Sequence, residues 1–171
     1  ETASGGHINV CTKIINNEKF AFVLDQYYGL RIFNVDADTA SHVSSFDMRS
    51  RFYWGQYSEV VDVAVDSPYA YVTDLTYGAT ILNFSGALSG STPEISNVGQ
   101  IETPGTASGL ALSDDRATLF VADGNQGMLA ANVSNPEAAI DDSDGRSDEP
   151  HPGHQDRGDL RQRRAEGNDQ A

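Results

Sequence analysis

Three stretches of the chain repeat one pattern. FAFVLDQYYGLRIFNV begins at Phe20, YAYVTDLTYGATILNF at Tyr69 and TLFVADGNQGMLAANV at Thr118. Each is a β-type run, an aspartate, three residues, a glycine and a second β-type run. The aspartates (Asp25, Asp74, Asp123) and the glycines (Gly29, Gly78, Gly127) both recur at a spacing of 49 residues. Two residue types held in one frame three times over define an internal repeat, and each repeat must then be one supersecondary unit stacked on the next.

Within a repeat, Phe20, Phe22 and Leu24 alternate with Ala21 and Val23, the two-residue period of a strand. These runs are rich in β-branched and aromatic residues and free of proline. The Asp carboxylate can accept backbone N–H groups in a short turn, and the Gly can take a positive φ. Each repeat therefore predicts an antiparallel hairpin. Further strands flank it. EVVDVAVDS (from Glu59) and SGLALSDD (from Ser108) precede the second and third hairpins, with VCTKIINNEK as the weaker match before the first. In EVVDVAVDS, Val61, Val63 and Val65 alternate with Asp62 and Ala64. HVSSFDM (from His42) and NVGQIET (from Asn97) follow the first two hairpins. The link before this last strand is longer in the second repeat, and the link after it is longer in the first.

Four short antiparallel strands make a unit the size of one β-propeller blade. The expected class is all-β: about three blades over residues 1–135, packed face to face as an incomplete propeller. Propellers close with about four to eight blades, and the third unit stops at NVSNP, before a fourth strand. Further blades of a longer chain, or other copies, are expected to complete the ring. The apolar faces and strand edges of a lone arc invite self-association.

Charge divides the chain. The formal net charge is −14, which argues against nucleic acid as a partner and against an anionic membrane surface. The apolar runs are too short to insert across a bilayer. Residues 136–171 contain no aromatic residue and almost no large apolar one, so they cannot offset the entropy of ordering and are expected to be an acidic disordered tail without contacts to the sheets. Their lysine-free, Arg/Asp/Gly/His/Pro-rich composition also fits an out-of-frame translation of GC-rich coding sequence. Arg157–Asp159 spells RGD, which in so biased a segment carries no adhesion reading. Cys11 is the single cysteine, so no intrachain disulfide forms.

The chain holds no glycine-rich phosphate loop, no Ser-centred nucleophile elbow and no paired-histidine metal motif. No catalytic residue, cofactor or metal is expected. Asp25, Asp74 and Asp123 would serve as ligands only if their turns converged; their identical place in every repeat favours a structural turn role, with Gly29, Gly78 and Gly127. His7 and His42 are isolated, and His151 and His154 fall in the tail. NFS at Asn83 and NVS at Asn132 are glycosylation sequons that also occupy the repeat's own strand-end position. The candidate binding face is RSRFYWGQYSE, from Arg49 to Glu59, which joins the first unit to the second. It gathers Arg51, Phe52, Tyr53, Trp54 and Tyr57, and the turns would bring Tyr27, Tyr28 and Tyr77 to the same face. Aromatic and arginine-rich patches suit recognition of a protein or of sugar rings. The plainer alternative is that these rings cover the gap between adjacent units.

AYVTDLTYGATILNFS and AFVLDQYYGLRIFNVDADTASHVSSFD resemble LVIVD repeats, and LALSDDRATLFVADGNQGMLAANVSNP resembles YVTN-type propeller repeats. The resemblance spans roughly residues 8–135. It departs at Asn34, Asn83 and Asn132, where the family pattern has Asp, and in lacking a proline after Asp36. It implies a β-propeller at the cell surface or outside the cell; with no catalytic motif in the chain, the expected role is a non-catalytic binding or structural scaffold. The YVTN-like side implies an alternative, a fragment of a propeller enzyme (a lactonase or other hydrolase) acting on a small molecule.

Overall fold

A computed structural model describes residues 7–36, 38–48 and 60–138. The chain forms three antiparallel sheets. The first has strands β1 (His7–Ile15), β2 (Glu18–Asp25), β3 (Gly29–Asn34) and β4 (Ser41–Phe46) in chain order. The second has β5 (Val60–Asp66), β6 (Tyr69–Asp74), β7 (Gly78–Asn83) and β8 (Ser96–Ile101). The third has β9 (Ala107–Leu112), β10 (Thr118–Asp123) and β11 (Met128–Asn132). Helical structure among the described residues is limited to α1 (Ser85–Ser89) and a 3-10 turn at Gly124–Gln126. The class is all-β, and the three sheets do not close into a ring.

Alternation decides which side of each strand is buried. Phe20, Phe22, Leu24, Leu30 and Ile32 project from the first sheet into a core shared with Val60, Val63, Val65, Ala70, Val72 and Leu82 of the second. The opposite face of the second sheet carries Tyr71, Ala79 and Ile81, which pack with Ala107, Leu119 and Val121 of the third. Tyr71 and Ile81 stand 49 residues after Phe22 and Ile32, so both interfaces use the same face of the repeat. Burying side chains of this size contributes about 1.5–3 kcal/mol each. The inner strands lie side by side, β1 against β5 and β5 against β9.

The alternation slips at a repeated place. A bulge interrupts the pairing of β1 between His7 and Asn9, and that of β5 between Val60 and Asp62. In β9, Asp123 pairs with Ala107 but Ala122 with Gly109. Val61 is the extra residue in β5, so Val60 takes the buried place that simple alternation assigns to Val61; Val60 is 1% exposed. An inserted residue shifts the phase of every side chain before it.

The longer link in the second repeat contains α1. Ala87 and Leu88 pack on the first core, and Ile95 is buried within it. Glu94 Oε2 accepts a 2.6 Å hydrogen bond from Ser44 Oγ of β4. The link thus bridges the outer parts of the first and second sheets. At the other end of the described chain, Tyr69 Oη donates to Glu137 Oε1 at 3.2 Å. Glu137, within the segment expected to be a tail, thus meets a residue of the second sheet; residues 139–171 of that segment lie outside the described residues.

Candidate functional site

Pairing registers place the repeated turns at one end of the sheets. Asp25 pairs with His7, Asp74 with Val60 and Asp123 with Ala107, all at the starts of the inner strands. The three aspartates are buried. Asp25 Oδ1 accepts from Tyr27 N–H at 2.8 Å, and Asp74 Oδ1 accepts from Thr76 N–H at 2.9 Å and Tyr77 N–H at 3.2 Å. Asp123 instead accepts from Gly105 N–H, at 3.0 and 3.1 Å to its two oxygens. Each carboxylate therefore holds backbone amides at the turn end of its own sheet. Among the described residues, no three His, Cys, Asp or Glu side chains form a metal-holding group.

The tyrosines carried by these turns are accessible. Tyr28 is 45% exposed and Tyr77 38%, with Leu75 beside Tyr77 at 36%, whereas Tyr27 is half-buried. The Arg31 guanidinium lies 5.4 Å from the Tyr28 ring centre and 5.0 Å from that of Phe33. Phe33 meets the His42 ring edge to face at 5.5 Å. Arg31 and Phe33 escaped the reading of the sequence, and His42, read there as isolated, meets Phe33 because the β3–β4 register pairs the two. Arg51, Phe52, Tyr53, Trp54 and Tyr57 lie outside the described residues. The flanks of that connector end beside the turns, since Phe46 pairs with Leu30 and Val60 with Asp74.

The sequon asparagines share one geometry. Asn83 Oδ1 accepts from Ser85 N–H at 3.0 Å, and Asn132 Oδ1 accepts from Ser134 N–H at 2.9 Å. Asn34, which belongs to no sequon, does the same with Asp36 N–H at 3.0 Å. These are side-chain-closed turns at each strand end.

A residue that sequence reading passed over joins the three sheets. Asp62 Oδ1 accepts from Asn9 Nδ2 of β1 at 2.7 Å and from Val63 N–H at 2.8 Å. Its Oδ2 accepts from Leu110 N–H of β9 at 3.0 Å. One carboxylate thus ties all three inner strands together.

Toward the far end of those strands is a cleft of about 320 Å³, lined in part by Cys11, Lys13, Val65, Ser113, Asp114 and Arg116. Burial pushes the Cys11 thiol pKa up; Lys13 opposes that shift and Asp62 adds to it. A raised thiol is a poor nucleophile near neutral pH. The Ser113 hydroxyl donates to Asp115 Oδ1 and accepts from Thr118 N–H, so it serves its own turn. That hydroxyl first, and the Ala117 amide second, hold the exposed Asp115 carboxyl below the usual carboxylate range. Arg116 reaches Asp66 at 3.6 Å, with both side chains largely exposed, a pair of small energetic weight.

Compared with protein-family models and with curated proteins, the chain finds no match in either.

Proposed function

We propose that this chain is an arc of a β-propeller, related to LVIVD and YVTN-like repeats, that serves as a non-catalytic binding scaffold at the cell surface or outside the cell. One observation carries the reading: successive sheets pack through the same face of the repeat, with inner strands side by side and every β2–β3-type turn at one end. A rigid frame with aromatic residues on loops at one end suits recognition, since large rings offer contact area with little entropy to lose.

The test uses Tyr77→Ala and Trp54→Ala in the full chain. Binding is screened on oligosaccharide arrays and on panels of extracellular protein domains, and thermal stability is measured in parallel. Loss of a hot-spot ring typically costs about 2 kcal/mol, near thirtyfold in affinity. Such a loss with little change in melting temperature is the expected result. A lowered melting temperature with unchanged binding would assign the rings to packing between sheets and retire the recognition reading.

A further inference from the structure

We infer that two copies of this chain join head to tail, the outward face of the third sheet of each copy seated on the outward face of the first sheet of the other. The inference rests on the repeat packing described above, and on the propeller reading only for closure of the resulting six sheets into one ring. Each repeat has a donating face and a receiving face. On the donating face, Phe22, Tyr71 and Phe120 recur at a spacing of 49 residues. Phe22 is 0% and Tyr71 1% exposed, the first in the core with β5 residues and the second in the core with β9 residues. Phe120 is the next in that series, on the outward face of the third sheet. Beside it is Met128, which stands 49 residues after Ala79; Met128 is 66% exposed where Ala79 is 0%.

The receiving face tells the same story from the other end. Val10, Val63 and Leu110 pair with the equivalent residues Val23, Val72 and Val121. Val63 is 6% exposed beneath the first sheet, and Leu110 packs beneath the second. Val10 is 57% exposed, and Ile14 on the same strand face 72%. At Phe120 and Met128 on the donor, and at Val10 and Ile14 on the receiver, the outermost faces thus carry large apolar side chains like those of the two interfaces within the chain, with Ala130 standing where Ile32 and Ile81 stand in the earlier repeats. A second copy supplies both faces at once, and propellers of six blades lie within the range in which such rings close. Arg31 also lies on the receiving face, but on the third strand out. The internal interfaces are built chiefly on the inner strands, where β1 and β2 meet β5, and β5 and β6 meet β9.

Light scattering and sedimentation equilibrium on the full chain at high salt, which screens the −14 charge of each copy, should give twice the 18.4 kDa chain mass. Val10→Lys alone and Phe120→Asp alone should each weaken self-association about thirtyfold or more, through a buried unpaired charge. An equimolar mixture of the two should recover the dimer, since one contact then pairs Lys with Asp and the other is native. Met128→Asp, at an exposed position, replaces Phe120→Asp if the latter lowers the melting temperature. A monomeric parent chain, single variants that still dimerise, or a mixture that stays monomeric would each overturn the inference. So would open-ended growth with concentration, which means the contacts do not close. A monomeric parent leaves the recognition reading intact, while an unaffected binding profile in Trp54→Ala leaves this one intact.

Discussion

The three repeated glycines do not hold equal stakes. All have positive φ, 75° at Gly29, 83° at Gly78 and 88° at Gly127. A Cβ at Gly29 would sit 2.5 Å from the Phe46 carbonyl and 2.7 Å from the Met48 amide, and one at Gly78 would run into the Ile101 carbonyl. At Gly127 it would meet nothing within 4 Å. Gly127 has ψ −112°, however, outside the left-handed helical region and in a mirror-β conformation that glycine alone adopts readily, so Gly127→Ala should cost about 1–3 kcal/mol through backbone strain alone. Gly78→Ala adds a backbone collision and should cost clearly more, which urea denaturation of the two variants will compare. Tyr71 sets a second residue-scale expectation. Burial, then the nearby Asp66 carboxylate, then Tyr69, push its phenol up to about 12 from 10.0. The folded chain therefore holds that proton more tightly than the unfolded chain does. The associated stability is fully present below pH 10 and is lost as the pH rises toward 12. Chemical denaturation across that range should show a decline that Tyr71→Phe reduces; an unchanged decline would remove Tyr71 as its source.

At the scale of elements, what was legible followed from chemistry local to the chain. Hairpins announced themselves because Asp and Gly are what a tight turn needs, and strands because alternation survives in short windows. The bulges did not, since inserting one residue among valines leaves EVVDVAVDS looking regular. Helix α1 spans only Ser85–Ser89, too short for a 3.6-residue period to register. The candidate turn face was partly readable: Tyr28 and Tyr77 follow directly from the hairpins, and Arg31 and Phe33 share one face of β3, whereas His42 joins Phe33 only through cross-strand register. Asp62 was hidden for a related reason. It reads as the polar side of an alternating strand, while its partners Asn9 and Leu110 lie 53 and 48 residues away. Asp62→Asn would set an amide donor against either the Asn9 amide or the Leu110 N–H. A loss of about 1–3 kcal/mol is expected from the unsatisfied group, measurable by denaturant titration. A neutral result would mean that water replaces the bridge.

Among the described residues the second sheet packs against the first through one core and against the third through another, and stability in stacks of this kind is close to a sum of unit and interface contributions. The two interfaces are fastened differently. The first and second sheets meet at their inner strands and again further out, through the link that buries Ile95 and joins Glu94 to Ser44. The second and third meet at their inner strands and at the Tyr71 core; beyond it, the described polar contacts are Arg116 with Asp66 and Tyr69 with Glu137, all exposed or partly exposed. Under mechanical load the difference becomes an order of events. A chain stretched between its termini in an optical trap should release the third sheet as a first, weaker rip. The first two sheets should then yield together at higher force, and cutting the Ser44 tether with Ser44→Ala should bring the two rips closer.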